Sequence, residues 1–133
     1  MAFVGEREAV IDGTGRLTLP ALYAELIELH PYATLLRPEV LALWPESEFM
    51  SRAEQLRERA RTDGSQERAH RLFMSSASKI NFDKQRRATI PESLRVRWGV
   101  GAGAQVQYVG VQDRVEVWPA EKWIKYMKED AVA

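Results

Sequence analysis

The sequence predicts an α+β fold, mainly β, built from two tandem pseudo-symmetric modules with flanking helices. Three observations predict it. A motif occurs twice: Ile11-Asp12-Gly13-Thr14-Gly15-Arg16-Leu17-Thr18-Leu19-Pro20 lines up with Phe82-Asp83-Lys84-Gln85-Arg86-Arg87-Ala88-Thr89-Ile90-Pro91, with Asp, Arg, Thr and Pro in register. Downstream, Leu43-Trp44-Pro45 answers Val117-Trp118-Pro119, and an acidic stretch and an aromatic, Phe49 or Trp123, follow each. Apolar residues alternate through both motifs with the period of half-buried strands, and stretches of helical period come after them. Matched landmarks in fixed order mark an internal duplication.

Each element then has its own reason. Glu8–Ile11 reads as a strand, Asp12–Gly15 as a turn and Arg16–Leu19 as a second strand; Asp-Gly is a hairpin dipeptide because glycine accepts a positive φ. Pro20 suits the first turn of a helix, which Ala21, Leu22, Glu25, Leu26 and Leu29 continue. Ala33–Leu36 and Val40–Trp44 are two short strands around Arg37-Pro38-Glu39. Pro45 to Arg61 is an amphipathic helix with Phe49, Ala53, Leu56 and Ala60 on one face, and Glu48 can pair with Arg52 on the other. Thr62–Ser65 is a polar linker, and Gln66 to Ala77 an added helix carrying Leu72, Phe73 and Met74. The second copy supplies strands Lys79–Phe82 and Arg87–Ile90, helix Pro91–Trp98, a loop at Gly99–Gly103, strands Gln105–Gly110 and Arg114–Trp118, and a last helix, Pro119–Glu129, with Trp123, Tyr126 and Met127 inward. The division expected is a first module at 1–61, a linker and connecting helix at 62–77, and a second module at 78–133. A module of about 60 residues buries too little surface to be robust alone, so the copies should share a core.

Composition narrows the function classes. The chain has 133 residues, is 45% hydrophobic and contains no cysteine, which removes disulfide frameworks, cysteine-based zinc sites and a thiol nucleophile. It has no apolar run of membrane-spanning length and no secretory leader in Met1-Ala2-Phe3-Val4-Gly5-Glu6-Arg7, so a cytoplasmic location without membrane association is expected. Net charge is zero, but residues 1–65 carry seven Lys and Arg against eleven Asp and Glu, while residues 66–133 carry twelve against eight. Lys79, Lys84, Arg86, Arg87, Arg95 and Arg97 face only Asp83 and Glu92 within their stretch. Phosphate binding needs a local basic face rather than a basic protein; a charged run by itself is more commonly a solvated surface.

The second strand of each motif points to chemistry. Side chains alternate across a strand. Leu17 and Leu19 therefore oppose Arg16 and Thr18, and Ala88 and Ile90 oppose Arg87 and Thr89. Each copy buries two apolar residues and presents an Arg beside a Thr. A guanidinium can clamp a phosphate or the O6/N7 edge of guanine through two hydrogen bonds, and two-stranded β elements fit the major groove. Backbone N–H groups of Gly13, Thr14 and Gly15, and of Lys84, Gln85 and Arg86, are further candidates for anion contact. Asp12 with Arg16, and Asp83 with Arg87, can also simply bond within their own turns. The two readings are compatible, because an Asp that orients an Arg preorganises it for an anion.

These motifs resemble the MraZ family of bacterial regulators, which carry two tandem AbrB-like modules with an Asp-x-x-x-Arg motif in each. The resemblance runs from Phe3-Val4-Gly5 to Trp123 and rests on Gly15-Arg16-Leu17-Thr18-Leu19-Pro20, Asp83-Lys84-Gln85, Val115-Glu116-Val117-Trp118 and the tail around Trp123. It implies swapped-hairpin β modules, a ring-shaped homo-oligomer, nucleoid association and binding of double-stranded DNA at promoter direct repeats. The usual target is the promoter of the family's own division and cell-wall gene cluster, with repression as the main effect. Carried onto this chain, the DNA-binding residues are Arg16, Arg87, Thr14, Gly15, Thr18, Lys84, Gln85, Arg86 and Thr89, with Asp12 and Asp83 orienting the turns. Two departures stand out. Gly13-Thr14 occupies a place where relatives often carry Lys or another charged residue, and Arg86 stands where Gly is usual.

Gly99-Val100-Gly101-Ala102-Gly103 follows a helix and precedes a strand, the reverse of a dinucleotide-binding loop. His30 and His70 lack metal-ligand spacing, and Ser75, Ser76 and Ser78 lack a His/Asp partner in sequence, so no metal, cofactor, small-molecule substrate or catalysis is expected. Leu72-Phe73-Met74 is core or subunit interface. The competing class is an AbrB-like antitoxin or protein-interaction module, which usually has one module and a disordered acidic tail.

Overall fold

Eight strands and five helices stand among the residues that the computed structural model describes, 2–27 and 30–132. In order they are β1 (Glu6–Val10), β2 (Arg16–Thr18), α1 (Ala21–Ile27), β3 (Tyr32–Arg37), β4 (Val40–Trp44), α2 (Glu46–Thr62), a 3₁₀ turn (Gly64–Gln66) and α3 (Glu67–Ser76). Then come β5 (Ser78–Lys79), β6 (Arg87–Thr89), α4 (Glu92–Trp98), β7 (Gln105–Gly110), β8 (Val115–Pro119) and α5 (Ala120–Val132). The fold is α+β with strands the more numerous element. Leu29, expected to continue α1, lies outside the described residues.

Neither motif closes on itself as a hairpin, which corrects the simplest reading of Asp12-Gly13. Gly15, not Gly13, takes the positive φ, at 82°. The turn uses its own N–H groups on Asp12, and the end of the first strand finds partners elsewhere: Ile11 N–H donates to Ala104 O, and Ile11 O accepts from Gly103 N–H. β1 therefore pairs antiparallel with β7, while β2 pairs antiparallel with β6. The main sheet runs β1-β7-β8-β4-β3-β5, and β2-β6 forms a separate two-stranded ribbon. That order is palindromic: the first strand of each motif lies outside the hairpin of the other copy, and β8 meets β4 at the centre.

The core follows the same logic. Ile11, Leu17, Leu19, Tyr23, Leu41 and Leu43 from the first half pack in one cluster with Ile80, Phe82, Ile90, Leu94, Trp98 and Val117 from the second. Buried polar groups tie the halves together. Tyr108 Oη donates to Thr18 O at 2.9 Å, and Trp98 Nε1 donates to Glu39 O at 2.9 Å. Such bonds matter because a buried unpaired donor costs on the order of 1–3 kcal/mol.

Several local expectations shift. β5 is only Ser78–Lys79 rather than Lys79–Phe82: the register brings Ile80 opposite Pro31, which accepts the Ile80 N–H but has no N–H to donate back, so the ladder ends there. Glu48 and Arg52 form no ion pair among the described residues; Arg52 Nη1 donates to Gln55 Oε1 instead, at 3.3 Å. Phe73 is core, lying edge-on to Trp44 and stacked on Phe49, whereas Leu72 and Met74 are exposed. α2 is thus covered by α3, but α5 has no such cover. Trp123 is half-buried, and Tyr126 and Met127 are exposed rather than inward. Trp118, Trp123 and Tyr126 pack on one another, with the Arg37 guanidinium 5.5 Å from the Trp118 ring centre and 5.6 Å from that of Tyr126. That geometry is a cation–π contact.

Candidate nucleic-acid interface

The ribbon brings the two motifs together. Its register sets Arg16 opposite Thr89, Leu17 opposite Ala88, and Thr18 opposite Arg87. Leu17 and Ala88 are buried, so their neighbours along each strand share the other face. Arg16, Thr18, Arg87 and Thr89 form one outward quartet, with each Arg directly across from the other copy's Thr. Opposed Cβ atoms in such a pair lie about 5 Å apart. Two Arg-Thr pairs that the sequence places 71 positions apart become one continuous polar surface.

Each arginine is held by its turn. Asp12 Oδ1 accepts from Thr14 N–H at 2.9 Å, Thr14 Oγ1 at 2.8 Å and Arg16 N–H at 2.9 Å, and Asp12 Oδ2 accepts from Arg16 Nε at 2.8 Å. In the second turn, Asp83 Oδ1 accepts from Gln85 N–H at 2.8 Å and Arg87 N–H at 3.0 Å, and Oδ2 accepts from Arg87 Nε at 3.4 Å. The arrangement is side-on through Nε. It leaves the Nη1/Nη2 edge of each guanidinium, the edge that forks onto two acceptor oxygens. The Arg16 N–H, followed by the Thr14 hydroxyl, holds the Asp12 carboxyl well below the usual carboxylate range, against the opposing effect of burial. The Arg87 N–H likewise lowers Asp83, again against burial. Both carboxylates are therefore charged at neutral pH.

Most of the backbone donors are already committed. Thr14 N–H goes to the Asp12 carboxylate and Gly15 N–H to Asp12 O; Gln85 N–H goes to the Asp83 carboxylate and Arg86 N–H to Asp83 O. This corrects the expectation that three N–H groups of each turn stand ready for an anion. Of these six turn N–H groups, only those of Gly13 and Lys84 have no partner among the described residues.

Lys84, Gln85 and Arg86 are exposed, and Arg86 sits at φ 61°, matching Gly15 at 82°. Its strain is offset locally: Arg86 Nε donates to Leu19 O at 3.0 Å, and Arg86 O accepts from Leu19 N–H at 2.7 Å. The residue that sequence reasoning missed is Arg95. It comes from α4, in the second half, yet its guanidinium lies over the first turn: a Cβ on Gly15 would be 2.6 Å from Arg95 Nη1. The only signal was its place in the basic stretch Lys79–Arg97, which says nothing of where it points. Elsewhere, among the described residues, no group of three or more His, Cys, Asp or Glu is placed to hold a metal, and no helix is long and apolar enough to cross a membrane.

Comparison with known proteins settles the family. A protein of Symbiobacterium thermophilum named transcriptional regulator MraZ is 33% identical over 126 residues, 95% of this chain and 90% of its own length. The chain belongs to the MraZ family. A second protein of that name, from Finegoldia magna, is 32% identical over 130 residues, 98% of this chain and 90% of its own. One from Parafrankia is 35% identical over 127 residues, 96% and 87%. The family model described as "MraZ protein, putative antitoxin-like" matches residues 73–133, which hold the Asp83 turn, β6 and Arg95. The likeness to whole MraZ chains also spans the Asp12 turn and β2. Arg86 is accommodated by its bonds to Leu19, and the uncharged Gly13-Thr14-Gly15 turn lies beneath Arg95.

Proposed function

We propose that this MraZ-family chain is a sequence-specific DNA-binding transcriptional regulator, acting mainly as a repressor at direct repeats upstream of its division and cell-wall gene cluster. The observation that carries the reading is the β2–β6 ribbon, whose outward face holds both Arg-Thr pairs, each Arg fixed through Nε and its Nη edge without a hydrogen-bond partner among the described residues. A ribbon of this width fits the major groove, where a guanidinium can fork onto guanine O6 and N7. Arg16 and Arg87 read bases or clamp phosphate. Thr18, Thr89 and Thr14 line the contact, Gly15 shapes the first turn beneath it, and Lys84, Gln85 and Arg86 add charge and hydrogen bonds at its edge. Asp12 and Asp83 orient rather than touch. The palindromic strand order supports two AbrB-like swapped-hairpin modules at 1–61 and 78–133, joined through 62–77. Several copies in a closed homo-oligomeric ring gain avidity on spaced repeats that one ribbon could not reach alone. The working location is the cytoplasm, at the nucleoid.

Gel shift against the DNA upstream of the coding region tests this. Wild type should bind with an affinity that falls steeply as salt rises, and Arg16→Ala should lose the shift. Undiminished binding by both Arg16→Ala and Arg87→Ala would sink the assignment. The antitoxin-like wording of the family description favours a second reading, a module that wraps a partner protein; on that reading DNA binding is indifferent to both arginines. Light scattering tests the ring, and a clean monomer would remove it.

A further inference from the structure

The two turns differ in where their extra positive charge comes from. Aligning the motifs on Pro20 and Pro91 matches Gly15 with Arg86, and Ala24 with Arg95. The ribbon register has the same symmetry, with Arg16 across from Thr89 and Thr18 across from Arg87. At the second turn, position 86 carries its own guanidinium, and the matching helix position is the small, half-buried Ala24. At the first turn, position 15 has no side chain, and the helix supplies the guanidinium: Arg95 Nη1 lies 2.6 Å from where a Gly15 Cβ would be. A side chain at 15 and an arginine at 95 cannot both fit without rearrangement. Gly15 is buried as a result, although it sits on a turn at the surface.

Charge argues that this guanidinium has a use. Arg16 is matched by Asp12 and Arg87 by Asp83. Among the described residues Arg95 has neither an ion pair nor a side-chain hydrogen bond, Glu92 on its own helix included. A half-buried guanidinium set over Gly15 without a carboxylate of its own is favourable when an anion completes it.

We infer that Arg95 is a DNA-phosphate contact of the first turn, the counterpart of Arg86 at the second. The inference rests on the DNA-binding reading above and adds a residue to it. Each turn then carries one oriented arginine for the groove and one for the backbone.

The test is fluorescence anisotropy over a range of salt, using a duplex copied from the DNA immediately upstream of the coding region and a scrambled duplex of equal length. Arg95→Gln should weaken both duplexes by a similar factor. The slope of log affinity against log salt should shrink by about one for each subunit engaged, as loss of one phosphate contact requires. Arg95→Lys keeps the charge and should hold the wild-type slope. Gly15→Arg combined with Arg95→Ala rebuilds the second turn's arrangement at the first and should restore it. Wild type that binds neither duplex overturns the DNA reading and this inference together. Wild type that binds and depends on Arg16, with an unchanged slope in Arg95→Gln, overturns this inference alone. So does a slope lost equally in Arg95→Lys, or a swapped variant with wild-type thermal unfolding whose slope stays reduced. Should the swap fail to fold, the Gln and Lys variants decide the matter.

Discussion

The turn at Asp12 and the turn at Asp83 share a plan and differ in grip. Asp12 holds four donors, and its contact to Arg16 Nε is 2.8 Å; Asp83 holds three, and its contact to Arg87 Nε is 3.4 Å. The fourth donor at Asp12 is the Thr14 hydroxyl, where the second turn has Gln85. The first turn is close-fitting and carries no base before Arg16. The second is looser and carries Lys84 and Arg86. The difference teaches that one motif can serve rigidity in one copy and charge in the other, because the tertiary structure lays both on a single surface.

The largest expected effect bears on the buried side of the ribbon. Leu17 and Ala88 face each other there at 1% and 3% exposure. Leu17→Ala should lower unfolding free energy by about 3 kcal/mol, and Ala88→Gly by about 1 kcal/mol, both read by denaturant titration. Equal losses would mean that the copies fill this face evenly. Next come the arginines. One forked contact is worth about 1–3 kcal/mol, so each alanine substitution should weaken upstream DNA binding by about fivefold to a hundredfold. Arg16→Ala should cost more than Arg87→Ala, since its guanidinium is held more tightly; the reverse order in anisotropy titrations would break the comparison. A smaller effect concerns the positive-φ position. Gly15→Ala should destabilise by at least about 1 kcal/mol, the cost of a Cβ in the left-handed region, because the new Cβ must also push the end of Arg95 aside. Arg86→Gly should change stability by less than that, because relief of the same strain is offset by loss of the bond to Leu19 O.

The smallest effect is on pH dependence. Both carboxyls titrate below the ordinary 3.8 in the folded chain. A depressed folded-state value means that their contribution is complete above the unfolded-state value and disappears as pH falls through the folded one. Stability should thus be insensitive to these groups near neutrality and decline in acid below about pH 4. Side-chain carboxyl NMR should find Asp12 titrating below Asp83; the opposite order would contradict the tighter grip of the first turn.

The site was legible in part. Alternation exposed Arg16 and Thr18 against Leu17 and Leu19, and Arg87 and Thr89 against Ala88 and Ile90, because side-chain period depends only on local backbone geometry. The duplicated motif likewise carried the family resemblance and the shared core. Strand pairing was not legible. Asp12-Gly13 looks locally like a hairpin turn, and nothing nearby reveals that Ile11 bonds Ala104 or that β2 meets β6. The inward placement of Tyr126 and Met127 failed for a related reason: an amphipathic face shows that something can cover it, not that anything does. The backbone donors of the turns were overestimated because the Asp side chains, present in the same motif, consume them.

By itself the sequence determined the order of strands, turns and helices, which residues of the two ribbon strands sink and which stay outward, and that two copies of one motif exist. These are consequences of side-chain period, turn chemistry and hydrophobicity, all short-range. Only the tertiary structure decided that the two motifs exchange partners, that their arginines share one face, and that Arg95 of one half lies over Gly15 of the other. Those are contacts between residues distant along the chain, set by how the shared core closes, and no local pattern encodes their pairing.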